Sequence, residues 1–282
     1  MHPADLRPYP LRPVLTALGF DRRAEVTSMA SGWSNEVVRV RWAGMGCVAR
    51  VARRQRGIAG RRAEARIWAL ASAAGIAPPL LHVDAASGVL VTQDVRARDL
   101  DLSSAPPDDA ALEAIGLLVG KFHRLPVRQL PISDPRIEIR ADLARAAAAG
   151  LAIDPLVIRL AGALPELARN VVAHGDLIAA NVLFGARPWL VDFETAGWGN
   201  ADFDLVGLAR TLDLDAKRTA ALYRGARRAQ PGTHRLRELK GLFELREHAW
   251  ALARLAEGRT EETIARQCDG SLAALRSLSS AP

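Results

Sequence analysis

His174, Asp176 and Asn181 fall in the order His-x-Asp-x-x-x-x-Asn, within Val172-Ala173-His174-Gly175-Asp176-Leu177-Ile178-Ala179-Ala180-Asn181. The apolar run Val182-Leu183-Phe184 follows, and Asp192 comes eleven residues after Asn181, in Leu190-Val191-Asp192-Phe193-Glu194. An aspartate on a short loop can accept the proton of an attacking hydroxyl. The asparagine and the second aspartate can together hold a magnesium ion, which prefers hard oxygen ligands and keeps several waters. These are the parts that move a phosphoryl group from a metal-bound nucleotide to an alcohol.

The intervening residues account for the spacing. Val182–Phe184 and Trp189–Val191 read as short strands joined by Gly185, Ala186, Arg187 and Pro188. An antiparallel hairpin brings the residue before its first strand close to the residue after its second. Asn181 and Asp192 are therefore expected side by side, with Asp176 on the loop before them.

The segment resembles the aminoglycoside phosphotransferase and choline kinase family, which has a protein-kinase-like fold. The continuation Asp192-Phe193-Glu194-Thr195-Ala196-Gly197-Trp198-Gly199-Asn200-Ala201-Asp202-Phe203-Asp204-Leu205 is most similar to the choline, ethanolamine and thiamine kinase branch, and departs from it at Thr195, where an aromatic is common. The resemblance implies ATP and Mg²⁺ as cofactors, with Asp176, Asn181 and Asp192 catalytic and Asn181 and Asp192 on the metal. It also implies a phosphate-covering turn in Ser31-Gly32-Trp33-Ser34-Asn35, where Ser31, Gly32, Ser34 and Asn35 would approach the nucleotide. A kinase needs a cation for the phosphates and a carboxylate to hold it. No lysine precedes Lys121, so the cation must be an arginine; the resemblance assigns Arg50, which stands where the family places Lys or Arg, with Glu64 on the next helix as its partner. Thr92-Gln93-Asp94-Val95 resembles the hinge whose backbone contacts the base, which assigns Gln93 and Val95 to nucleotide binding and leaves ATP and GTP both open. His123 and Asp204 are expected to be structural, Asp204 by tying down the catalytic loop.

The elements that must position these residues change character along the chain. The first part reads as strands around one helix: Glu36–Trp42 and Cys47–Val51 as a hairpin, a helix over Arg61–Ala74 stopped by Gly75 and Pro78-Pro79, then a strand at Gly88–Thr92. A connector rich in Ser, Pro and Asp follows. Leu112, Ile115, Val119 and Phe122 then mark the apolar face of a helix. Further helices are expected at 142–149, 155–168, 203–212, 216–229, 236–257 and 261–278, with strands at 171–173, 182–184 and 189–191. The expected architecture is α+β: a two-lobed, protein-kinase-like fold. Its small β-rich nucleotide-binding lobe spans residues 1–95, and its larger, mainly helical catalytic and acceptor-binding lobe spans 96–282.

The resemblance implies an acceptor that is a small molecule carrying a hydroxyl. Glu194 lies two residues beyond Asp192, and on an extended segment it would point to the same side, about 7 Å further along. With Trp198 and Trp250 as aromatic faces, and Asp176 as base, this set suits an amine or quaternary ammonium alcohol. An aminoglycoside or sugar kinase fits the same catalytic residues, and a pseudokinase is disfavoured because Asp176, Asn181 and Asp192 are all present. The net charge of +7 comes from scattered arginines with no aromatic-interleaved basic stripe, so nucleic acid is not an expected partner. No apolar run is long enough to span a membrane, and the N-terminus lacks the apolar core of a secretory signal, so a cytoplasmic protein is expected. Cys47 and Cys268 make neither a metal motif nor a disulfide framework, and Cys47 reads as a buried core thiol.

Overall fold

The computed structural model describes residues 11–21, 23–29, 35–52, 58–96, 98–99 and 107–280. Helix α1 (Leu11–Ala17) and strands β1 (Glu25–Ser28), β2 (Asn35–Trp42) and β3 (Met45–Ala52) open the chain, followed by α2 (Ile58–Ala73), β4 (Leu80–Asp84) and β5 (Val89–Gln93). The five strands form one antiparallel sheet in the order β1-β2-β3-β5-β4. Alternation along β3 divides its residues between two faces. Cys47, Ala49 and Val51 are buried with Leu11, Leu15 and Val40 on one face. Arg50 therefore turns to the other face, toward α2. Cys47 is the buried thiol expected, and burial together with nearby Asp94 pushes it up to about 11.

The remainder is mostly helical. After the short β6 (Arg98–Asp99) come α3 (Asp109–Phe122), α4 (Pro135–Ala148), α5 (Pro155–Gly162) and β7 (Val171–Ala173). A hairpin of β8 (Val182–Phe184) and β9 (Pro188–Leu190) follows, then β10 (Gly197–Gly199), α6 (Ala201–Thr211), α7 (Ala216–Gly225), α8 (Thr233–Ala256) and α9 (Glu262–Ser280). β6 adds to the β8–β9 hairpin, and β10 pairs with β7. The α+β, kinase-like architecture is as expected. Helix α4 begins at Pro135 rather than at Asp142, because Asp134 caps it and Pro135 sits in its first turn. Helix α5 stops at Gly162, short of Ala168. Helix α1 and strands β4, β6 and β10 were not expected from the sequence.

Two packing arrangements order this part: one joins two helices, the other fixes the catalytic loop between β7 and β8. Helices α3 and α7 approach closely at Gly116, where a Cβ would run into the Leu222 carbonyl oxygen and lie 2.8 Å from the Ala226 nitrogen. Asp204, on the first turn of α6 and 1% exposed, does the second job. Its carboxylate accepts hydrogen bonds from the His174 N–H at 2.7 Å, the Gly175 N–H at 2.9 Å and the His123 Nε2 at 2.9 Å. The N-cap of α6 is Asn200, whose side chain accepts from the Phe203 N–H. The His174 ring is buried, and its Nε2 donates to the Val191 carbonyl at 2.9 Å, tying the loop to the end of the hairpin. Burial pushes this imidazole below its ordinary pKa, so it stays neutral.

Gly116→Ala should lower stability in urea unfolding by about 3 kcal/mol, because backbone must move to admit one methyl. Asp204→Ala should cost about 3–5 kcal/mol, since it strands two buried N–H groups and an imidazole donor. Unfolding midpoints equal to wild type in these variants would contradict the two arrangements.

Candidate active site

A cavity of about 610 Å³ opens between the sheet and the helical part. Asn35, Arg50, Gln93 and Val95 line it from the sheet side, and Asp176, Asn181, Asp192, Glu194 and Trp250 from the other. The hairpin brings Asn181 beside its far end: the Val191 N–H donates to the Asn181 carbonyl at 3.1 Å, one residue before Asp192. Asn181 Nδ2 donates to the Asp176 carbonyl at 2.8 Å and lies 3.5 Å from Asp176 Oδ2. This turns the Asn181 amide oxygen away from the loop backbone. Gly175 adopts φ +79°, and a Cβ there would collide with Ser133 Oγ and lie 2.7 Å from the Thr195 carbonyl oxygen. Thr195, at the departure from the family pattern, donates its hydroxyl to the His174 carbonyl at 2.9 Å.

Arg50 connects the two sides. Its guanidinium pairs with Glu64 on α2 and donates through Nη1 to Asp192 Oδ1 at 2.6 Å. Asp192 itself has φ +65° and ψ +64°, a left-handed conformation in which a non-glycine residue is strained. Burial raises its carboxyl to about 7; Arg50 acts the other way, while Glu194, Glu64 and Asp176 add to the rise. Asp176 takes the opposite direction. Burial works against its ionisation, but Arg246, with His174 and Asn181, more than offsets it and holds the carboxyl below its ordinary value.

Glu194 reaches the cavity by a different route from the one expected. Residues Phe193–Thr195 form a single 3₁₀ turn after left-handed Asp192, so strand alternation does not apply. The turn aims Glu194 at the sheet side, where Asn35 Nδ2 approaches its Oε2 at 3.4 Å. Trp198 is not brought to the cavity. It sits in β10, registered with Val172 of β7 and bridged to Ile132, and is absent from the lining. Ser31, Gly32 and Ser34 lie outside the described residues. Asp94, between Gln93 and Val95, pairs its carboxylate with Arg39 at 3.0 Å, and all four residues line the cavity.

The lining also includes polar residues of α8 and α9 that were not selected from the sequence, among them Arg246, Glu247 and Gln267. Arg246 is 8% exposed, and its Nη2 donates to Asp176 Oδ1 at 2.8 Å. Glu247 accepts from Gln267 Nε2 at 3.0 Å. Burial raises its carboxyl to about 7; Arg246 opposes the rise, and Asp176, Glu244 and Glu138 reinforce it. The available signal was spacing: Arg246 and Glu247 stand four and three residues before Trp250, on the same helix face.

Among the described residues no group of three or more His, Cys, Asp or Glu side chains is placed to hold a metal ion. A magnesium ion asks for less, since it takes one or two protein oxygens and completes its shell with phosphates and water. The Asp192 carboxylate and the Asn181 amide oxygen, beside a group of carboxylates short of positive charge, fit that demand. Among the same residues no helix is long and apolar enough to cross a membrane.

The chain is similar in fold to a choline/ethanolamine kinase family protein from Mesorhizobium loti, with a TM-score of 0.76 and 22% identity over 96% of this chain and 95% of that one. It is also similar to choline kinase LicA from Streptococcus pneumoniae, with a TM-score of 0.73 and 15% identity over 95% and 98%. A third relative in fold is the macrolide 2'-phosphotransferase MphH from Brachybacterium faecium, with a TM-score of 0.65 and 20% identity over 94% and 97%. Among curated proteins, none matches. The profile of the phosphotransferase enzyme family matches residues 25–239, well over half of the sequence. The chain belongs to the phosphotransferase enzyme family.

Proposed function

We propose that this phosphotransferase moves the γ-phosphoryl group of Mg·ATP to the hydroxyl of a small cationic alcohol of the choline, ethanolamine or thiamine type. One observation carries the reading: Asp176, Asn181, Asp192 and Arg50, the last held from behind by Glu64, converge on a single cavity. Asp176 accepts the hydroxyl proton as the new oxygen–phosphorus bond forms and the bond to the β-phosphate oxygen breaks. Asn181 and Asp192 would hold magnesium, which neutralises charge on the phosphates when bound. Arg50 exchanges its contact with Asp192 for the phosphates while Glu64 keeps it in place. Gln93 and Val95 lie where backbone groups meet the base. LicA has been seen with AMP, which supports an adenine nucleotide.

The acceptor class rests on the wall beside Asp176. Glu247 offers a partly buried carboxylate there and Trp250 a ring, a combination that suits an ammonium group. Glu194 faces Arg50 and Asn35 on the nucleotide side, so Glu247 takes the acceptor role that the sequence had given to Glu194. The pH dependence follows with its sign. Burial pushes the Glu247 carboxyl up to about 7, and it binds a cation as the carboxylate, so protonation competes with the acceptor below that pH.

The test is a panel of choline, ethanolamine, thiamine, kanamycin and glucose with Mg·ATP, followed by ADP release. A cationic alcohol should be phosphorylated, with an acceptor KM that rises as pH falls below about 7. Glu247→Gln should raise that KM by about 10–100-fold and flatten its pH dependence, with the ATP KM changed less than about twofold. Phosphorylation of glucose alone, or an acceptor KM untouched by Glu247→Gln, would overturn the acceptor assignment. Preference for kanamycin would place the chain with the aminoglycoside kinases.

A further inference from the structure

Arg246 lies on α8, far along the chain from the catalytic loop, yet it makes the closest charged contact to Asp176. All three nitrogens of its guanidinium are engaged. Nε donates to Glu138 Oε2 on α4 at 2.9 Å, Nη2 to Asp176 Oδ1 at 2.8 Å, and Nη1 lies 3.3 Å from Glu247 Oε1. Burying a guanidinium is costly unless its geometry is well satisfied. Here the planar fork meets three carboxylates in three directions, an arrangement that the point charge of lysine cannot reproduce. Glu138 is not part of the cavity lining, so one arm of the fork is anchored behind the site while the other two reach its wall.

We infer that Arg246 is a positioning residue for phosphoryl transfer: anchored by Glu138, it fixes the Asp176 carboxylate relative to the acceptor wall at Glu247. The inference rests on the reading of Asp176 as the base. Nη2 occupies Oδ1, which leaves Oδ2, 3.5 Å from Asn181 Nδ2, to take the acceptor's proton. The same guanidinium touches Glu247, so base and acceptor anchor keep a fixed separation. A carboxylate released from this clamp rotates, and a misplacement of about 1 Å in a reacting group costs about 10²-fold in rate.

The experiment measures kcat and both KM values for Arg246→Met, Arg246→Lys and Glu138→Gln. It uses Mg·ATP and the member of the acceptor panel that the wild type phosphorylates fastest, or water if ADP release needs no alcohol. Arg246→Met should lower kcat by about 30–100-fold with the ATP KM within about twofold, and Arg246→Lys should recover only part of the loss. Glu138→Gln, which touches neither substrate nor Asp176, should lower kcat by about 3–10-fold and supplies the test if Arg246→Met does not fold. In an Asp176→Asn background the Arg246→Lys change should cost less than about threefold more, because both act on one step. Wild-type kcat in Arg246→Lys and Glu138→Gln, with Asp176→Asn inactive, would overturn the positioning role and leave the base intact. Near-wild-type turnover in Asp176→Asn would overturn the base assignment itself. Full additivity of the two changes would show that Arg246 acts elsewhere.

Discussion

A buried guanidinium held between two carboxylates from opposite sides of a cleft is the constraint on which this structure turns. Arg50 leaves β3 on the face away from the sheet core, because Cys47, Ala49 and Val51 take the apolar face. It pairs with Glu64, which requires α2 to pack against the sheet at a particular rotation. It also pairs with Asp192, which requires the β8–β9 hairpin to end in a left-handed residue pointing back across the cleft. Asp192 is crowded by Glu64, Glu194 and Asp176 and balanced by one cation, so the arrangement has room for more positive charge. A magnesium-bound nucleotide would bring that charge, together with phosphates that Arg50 can take up.

The other charged groups divide the remaining work. Asp204 gives its carboxylate to the backbone of the catalytic loop and fixes where the loop lies. Arg246 fixes one carboxylate oxygen of Asp176 within that loop. Asp204 and Arg246 reach the loop from α6 and α8, and His123 on the C-terminal side of α3 supports Asp204 from below. Long-range contacts of this kind join a loop of few residues to most of the helical core. This explains how a short, polar segment can hold a conformation in which Gly175 has a positive φ and almost no space around it.

Local spacing made the catalytic loop and hairpin legible in the sequence. Asn181 and Asp192 bracket two short apolar strands, and an antiparallel turn leaves them nowhere else to go. Arg50 and Glu64 were legible from order along the chain, since a cation on a strand before a helix with one matching carboxylate is a short-range pattern. Arg246 and Glu247 were hidden because they sit in a helix that reads as core, and their partners are far away in sequence. Only the three- and four-residue spacing to Trp250 pointed to them. Glu194 reaches the cavity by a route not legible in the sequence, because the left-handed backbone of Asp192 converts an expected extended segment into a turn. Trp198 was drawn into the acceptor site by its neighbourhood in sequence, whereas its strand pairs with β7 and carries it away. The start of α4 carried a usable signal in Asp134-Pro135, which outranks the weak apolar periodicity that follows.

The account makes the Arg50–Asp192 contact the place where nucleotide enters, and calorimetric titration of Mg·ATP addresses it directly. Wild type should bind Mg·ATP. Asp192→Ala should weaken that binding by about 10²-fold while leaving the weaker affinity for metal-free ATP within about threefold, because Arg50 is then released from its partner and the metal loses its ligand. Arg50→Ala should weaken both. Equal Mg·ATP affinity in wild type and in both variants, with the folds intact, would contradict the account at its centre.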